Sequence, residues 1–222
     1  MAQDVDQLRQ MIVQAADVLF RSGVMQHSGH GNISARLADG RMLITGRGNI
    51  RDLTVGDMAV ASFDGQALEG HMEPANAEIV AMHAGVYRTR PDVQAIIHAH
   101  PPHSTAFALA HRPLDAAYEA LLRFGVDEPI PVAAWAPRGS QESVTNIVEV
   151  LKAHPRMPAV LLANHGILAF GSSPLEVARL VMAMEEAAEA GLGAQQLGGV
   201  KPLPAGALDK ERQQMDRFRT RM

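Results

Sequence analysis

Apolar positions along this chain repeat with two periods, and the change from one to the other marks its elements. From Gln7 to Arg21, Leu8, Met11, Ile12, Ala15, Val18 and Leu19 recur at steps of three and four, the period of an amphipathic helix, and Gly23 ends it. The period then becomes two. Ile33, Ala35 and Leu37 alternate in SGHGNISARL, and a turn at Asp39 and Gly40 leads into a second strand, Arg41 to Thr45, so the pair reads as a hairpin. A third strand, Met58 to Phe63, ends at Asp64 and Gly65, and antiparallel order is expected throughout this part.

After Pro74 the helical period returns, with Ile79, Met82, Val86 and Tyr87 on one side and Asn76 as expected N-cap. That start places Glu78 in the first turn, where the helix dipole favours an ionised carboxylate. A strand from Val93 to His98 follows Pro91. Helices are expected from about Ser104 to Ala110 and from Leu114 to Phe124, then a short strand from Val132 to Trp135. Arg138 to Ser140 leads to a helix striped by Val144, Ile147, Val148 and Leu151. A buried strand, Ala159 to Ala163, breaks at Asn164, His165 and Gly166 and resumes from Ile167 to Phe170. Ser173, Pro174 and Glu176 are N-cap, first-turn proline and capping-box glutamate of a helix to about Ala190. The glycines from Gly191 to Gly199 read as a linker. From Asp209, Met215, Phe218 and Met222 form one stripe among charges, so a domain of residues 1–200 and a linker with docking helix over 201–222 are expected.

Composition removes several function classes. With 222 residues, 47% apolar and 20% charged, one globular domain with a real core is expected. A net charge of −4 offers no basic surface for nucleic acid or an anionic membrane. No apolar run approaches the roughly 18 residues of a membrane span and no signal peptide is evident, so a cytoplasmic protein is expected. Cysteine is absent, which excludes disulfides and thiolate chemistry and leaves His, Asp and Glu to hold any metal.

The chemistry centres on IIHAHPPH, Ile96 to His103. His98 and His100 are two apart at the end of an apolar strand and therefore face one side, and Pro101 and Pro102 stop the strand there. His165 also falls at a strand end. Singly, such a histidine is most often a packed or surface residue, a helix-start glutamate a cap, and a lone tyrosine such as Tyr118 a packing group. Three strand-end imidazoles with Glu78 instead make the ligand count of a catalytic zinc site. The loop TGRGN, Thr45 to Asn49, has two glycines that free backbone donors to point outward, and Arg47 and His30 add positive character beside it.

These residues resemble the class II aldolase and adducin family. The matching stretches are GHGNIS at Gly29 to Ser34, LITG at Leu43 to Gly46, the acidic helix start ending at Glu78, YRTRPDVQAIIHAHPPHSTA at Tyr87 to Ala106, and ANHG at Ala163 to Gly166, within about Leu8 to Gly191. The resemblance implies an α/β fold of three layers, α/β/α, around a central, largely antiparallel mixed sheet. It implies Zn2+, with Mn2+ or another divalent ion as alternatives, bound by His98, His100 and His165 with Glu78 as alternating ligand and catalytic base. Asn32, Thr45 and Gly46 would line the pocket for the anionic end of a small substrate, with Arg47 and Asn76 beside them, and Tyr118 would be the proton carrier given to a neighbouring subunit. A homotetramer with sites between subunits is implied. The implied activity is cleavage of a carbon–carbon bond in a ketose phosphate or related hydroxy-carbonyl compound through a metal-stabilised enediolate.

The chain departs from the family pattern in places. Sugar-phosphate aldolases carry two serines before the glutamate where this chain has Asn76 and Ala77. Glu78 stands one residue further from the histidine pair, which keeps Glu73 open as the base, and Tyr118 matches after a shift of one residue. Arg47 suits a carboxylate as well as a phosphate, so a decarboxylase of an aromatic or sugar acid is the alternative. An epimerase on this fold would need a second tyrosine in the C-terminal tail, and this chain has none there. A non-catalytic, adducin-like scaffold predicts eroded ligands, and a barrel hydrolase with an HxH pair needs about 250 residues and no early hairpins.

Overall fold

In a computed structural model the described residues are 5–219. The chain order is α1 (Val5–Arg21), β1 (Asn32–Arg36), β2 (Arg41–Thr45), β3 (Met58–Ser62), β4 (Ala67–Glu69), α2 (Pro74–Thr89), β5 (Ala95–Ala99), α3 (Pro102–Leu109), β6 (Val132–Ala133), α4 (Gln141–Ala153), β7 (Ala159–Leu162), β8 (Gly166–Gly171), α5 (Pro174–Gln196) and α6 (Ala207–Arg219). Short 3₁₀ turns lie at Val55–Asp57 and Glu119–Phe124.

The eight strands make one sheet in the order β4-β3-β2-β1-β5-β8-β7-β6. Every neighbouring pair is antiparallel except β6 with β7. Both faces are covered, because alternate residues enter different cores. Ile33, Ala35, Ile97 and Ala169 pack under α1, α3 and α5, whereas Ile44, Ile96, Val160 and Phe170 pack under α2 and α4. This is the three-layer arrangement with a largely antiparallel mixed sheet. Each fully buried Ile or Leu of these faces contributes roughly 1.5 to 3 kcal/mol of transfer free energy.

Several local expectations are corrected. α2 is capped by Glu73, with Pro74 at its first position, so Asn76 is not the N-cap and Glu78 lies beyond the first turn. Leu114 does not begin a helix: it bridges to Ile130, and only Glu119–Phe124 turns as 3₁₀. The glycines at 191 and 193 lie inside α5, which runs to Gln196 rather than ending near Ala190. Ser173 caps α5 as expected, accepting from the Glu176 N–H. α6 buries Leu208 and packs on the Glu119–Phe124 turn. The side chain of Phe218 and the whole of Met222, expected on the same stripe, lie outside the described residues. Among the described residues no helix is long and apolar enough to cross a membrane.

Candidate metal and active site

β5 delivers His98 and His100 to the α2 side of the sheet, and the turn between β7 and β8 brings His165 to them. One ring nitrogen of each of the three lies within 4.8 Å of those of the others, a set that could hold a metal ion. Ring centroids are 4.6 Å apart for His98 and His100, 4.7 Å for His98 and His165, and 5.1 Å for His100 and His165. Two of the rings are held from behind. His98 Nδ1–H donates to the Ile167 carbonyl at 2.8 Å and His100 Nδ1–H to the His30 carbonyl at 3.0 Å, which leaves Nε2 of each as a free lone pair.

Glycines permit this closeness. A side chain at Gly166 would lie 2.6 Å from the Ala99 carbonyl and 2.7 Å from the His100 ring, and one at Gly31 would lie 2.8 Å from the His98 carbonyl. Only glycine fits either approach.

Charge is disfavoured on all three imidazoles. Burial first, then His100 and His165, holds His98 well below its ordinary value. His100 is lowered chiefly by burial, and His165 is held at about 4 by burial, then by His100 and Arg138. Neutral, convergent nitrogens with no thiolate nearby are the donor set that a borderline divalent ion such as zinc takes, so the residues present fit such an ion.

The trio opens on a cavity of about 390 Å³. Its polar side includes Asn32, Arg47, Gly48, Asn49 and Asn76, with Glu73 and Glu78 at its margin. Its other wall is apolar, formed by Ile79, Met82, Val144, Ile147 and Leu162, and the exposed Trp135 joins it.

Of the residues singled out in the sequence, Glu78 lines this cavity but stands outside the nitrogen cluster. Its half-exposed carboxylate is 3.9 Å from Arg138 and packs beside Gly139. Glu73 instead accepts from the Gly48 N–H at 3.0 Å, closing the 46–48 loop. Asn76 is buried and donates to the Thr45 carbonyl at 3.1 Å while still touching the cavity. Thr45 and Gly46 lie behind the wall: the Thr45 hydroxyl accepts from the Ile33 N–H, and a side chain at Gly46 would strike the His71 carbonyl at 2.0 Å. Arg47 spends its Nη2 on the carbonyls of Arg51 and Asp52, 3.1 and 2.7 Å away, and pairs with Asp57. Tyr118 is exposed at another cavity, and its hydroxyl donates to Glu186 at 3.4 Å.

Sequence reasoning missed two features. His103, the third imidazole of the motif, is not in the cluster: with the Ser104 N–H it is bound by the buried Glu185 carboxylate, which reaches across from α5 to the start of α3. The second is a buried polar line of Asn32, His83, Ser34 and Tyr87 under the cavity floor. Its only signal in sequence was a His and a Tyr one helical turn apart within an apolar stripe.

Residues 10–192 match the family model described as class II aldolase and adducin N-terminal domain. The chain is 29% identical over 214 residues to a 5-methylthioribulose-1-phosphate/5-deoxyribulose-1-phosphate aldolase of Rhodospirillum rubrum, covering 96% of this chain and 91% of that protein. It is 28% identical over 190 residues to a 3-oxo-tetronate 4-phosphate decarboxylase of Haemophilus influenzae, covering 82% and 85%. Among solved structures, an L-fuculose 1-phosphate aldolase superposes with a TM-score of 0.81 at 27% identity, covering 95% of this chain and 96% of the other.

Proposed function

The chain belongs to the class II aldolase and adducin family, and from that premise we propose that it is a zinc-dependent lyase that splits a carbon–carbon bond beside the carbonyl of a small ketose phosphate. The observation carrying this reading is the trio of neutral imidazoles converging within 4.8 Å at the edge of a cavity that also holds amide donors and two carboxylates. His98, His100 and His165 would hold a divalent ion, which would supply Lewis-acid stabilisation of developing negative charge.

The chain's own residues do the remainder. The Asn32 amide, with Arg47 and Asn49 beside it on the loop that Glu73 closes through the Gly48 N–H, receives the anionic end, where donors aimed at negative charge gain strength in a site shielded from water. Glu78, half-exposed on the cavity wall, moves a proton to or from the carbon beside the carbonyl. The apolar wall of Ile79, Met82, Ile147 and Leu162 suits a substrate whose far end is alkyl or deoxy rather than fully hydroxylated. Tyr118, exposed and on a different cavity, supports the reading that it serves the site of a neighbouring copy in a homotetramer. The catalytic unit is then residues 1–200, with α6 as a docked appendage.

Decarboxylation on the same site is the second reading, favoured by the Haemophilus influenzae relative. The experiment is a panel assayed with and without chelator: 5-methylthioribulose, 5-deoxyribulose and fuculose 1-phosphates for aldehyde release, and a 3-oxo acid phosphate for carbon dioxide. Chelator-sensitive aldehyde release, strongest for the alkyl-ended sugars, is expected. Carbon dioxide release alone would replace the aldolase with the decarboxylase, and turnover unaffected by chelator would remove the metal.

A further inference from the structure

One buried titratable group has no part in the chemistry above. His83, on α2, is fully buried; its Nε2 lies 2.5 Å from Asn32 Oδ1 and its Nδ1 2.7 Å from Ser34 Oγ, which is 2.8 Å from Tyr87 Oη. Asn32 and Ser34 are alternate residues of β1 and point to the same face. Asn32 stands directly opposite His98 in the sheet register. The buried line therefore ends beside a member of the imidazole trio.

The directions of these hydrogen bonds follow from counting hydrogens. Burial holds His83 at about 3, so the ring is neutral and carries one N–H. An amide oxygen only accepts, so that hydrogen sits on Nε2 and is donated to Asn32. Nδ1 then accepts from the Ser34 hydroxyl, and Ser34 Oγ accepts from Tyr87. Every hydrogen has an acceptor. Turning the Asn32 amide over reverses the line and leaves one buried hydroxyl hydrogen, of Tyr87 or of Ser34, with no acceptor among the described residues, an arrangement disfavoured about fivefold or more. With its oxygen tied down, Asn32 has only its NH2 left for the cavity it lines; that nitrogen makes no hydrogen bond to a described residue and is not among the buried unpartnered atoms.

We propose that His83 is a positioning residue: its Nε2–H locks the Asn32 amide so that a donor, and not an acceptor, faces the anionic group of the substrate. A turned amide would present oxygen to that anion and oppose it. The inference rests on the lyase reading only for what enters the cavity.

The test uses the zinc-loaded full chain and inorganic phosphate as the probe anion. Nitrogen NMR of the histidine rings, with His83→Gln for identification, is expected to show the Nε2–H tautomer at residue 83. In titrations, His83→Phe should bind phosphate about tenfold more weakly, and His83→Gln, which keeps a donor for Asn32, within about threefold of wild type. Adding His83→Phe to Asn32→Ala should cause no further loss, since His83 acts through Asn32. An Nδ1–H tautomer overturns the proposal, as do unchanged affinity in His83→Phe, additive losses in the double variant, or no phosphate binding by wild type. If His83→Phe does not fold, the tautomer and His83→Gln decide. A chain that passes these tests yet cleaves no ketose phosphate would sink the lyase reading and leave this role standing.

Discussion

Asn164 accepts a hydrogen bond from the Nε2–H of His111 at 2.6 Å, and both residues hold left-handed backbones, φ 57 and φ 52. Asn164 immediately precedes His165, so its conformation sets where that imidazole leaves the turn. Asparagine tolerates this region better than alanine. Asn164→Ala is therefore expected to lose about 1 to 2 kcal/mol in urea unfolding and to bind zinc more weakly in competition with a chelating dye. Asn164→Gly should recover the backbone share. His111→Ala removes an exposed hydrogen bond and also places alanine in the left-handed region, so it should cost about 1 to 2 kcal/mol. Equal losses for Asn164→Ala and Asn164→Gly would show that backbone conformation is not what the residue supplies.

Purified protein is expected to carry about one divalent ion per chain, because three neutral nitrogens and an open position make a single site. His98→Ala and His165→Ala should each lose both the ion and activity, measured by elemental analysis after gel filtration. Full metal retention in either variant would overturn the ligand set.

Much of the fold was legible because alternation and helical period each encode a buried face. Ile33 and Ala35 go to one core while Asn32 and Ser34 go to the other, as a period of two requires. The histidine trio was legible for the same reason: His98 and His100 share a face, Pro101 and Pro102 end the strand, and His165 lies at a break between two apolar runs. Local caps were less so. Asn76 has cap chemistry, but Pro74 already fixed the first turn, and the Asn76 amide was needed by the Thr45 carbonyl. The glycines at 191 and 193 cost α5 about 1 kcal/mol each and do not stop it, because Ala187 and Ala188 just before them are anchored in the core. Of the buried line only the spacing of His83 and Tyr87 shows in the sequence, since the partners of His83, Asn32 and Ser34, lie 51 and 49 residues away.

The two glutamates at the cavity should separate by function. Glu78→Gln is expected to keep metal yet lose deuterium exchange at the carbon beside the carbonyl of a three-carbon ketose phosphate, by about 10² to 10⁴-fold. Glu73→Gln should keep exchange and weaken substrate binding, since its carboxylate holds the Gly48 amide. The opposite pattern would move the base to Glu73.

Glu185 is a buried carboxylate satisfied by three donors, the His103 N–H at 2.8 Å, His103 Nδ1 at 2.9 Å and the Ser104 N–H at 2.8 Å. Glu185→Ala would strand those donors at the start of α3, and a loss of about 2 to 3 kcal/mol in urea unfolding is expected. A loss below about 0.5 kcal/mol would mean that water replaces the carboxylate freely.

Stability should fall on acidification through His83, and the sign follows from its two protonation states. The ring titrates near 6.5 when unfolded but is held at about 3 by burial in the fold. Above pH 6.5 neither state takes the proton and the native fold keeps its full stability. Below it only the unfolded chain is protonated, so stability drops with a slope approaching about 1.4 kcal/mol per pH unit until the folded ring itself titrates near pH 3. Asp39, Asp57 and Asp92, all lowered in the fold by hydrogen bonds from neighbouring groups, also destabilise it in acid, so wild type alone does not isolate the histidine. Comparison with His83→Gln cancels them. Urea midpoints at pH 7, 6, 5 and 4 should show a shallower decline in His83→Gln by close to one proton, converging on wild type toward acid. Parallel declines would mean that His83 is protonated, or open to water, in the native state, and the buried line from Tyr87 to Asn32 would then have a different direction.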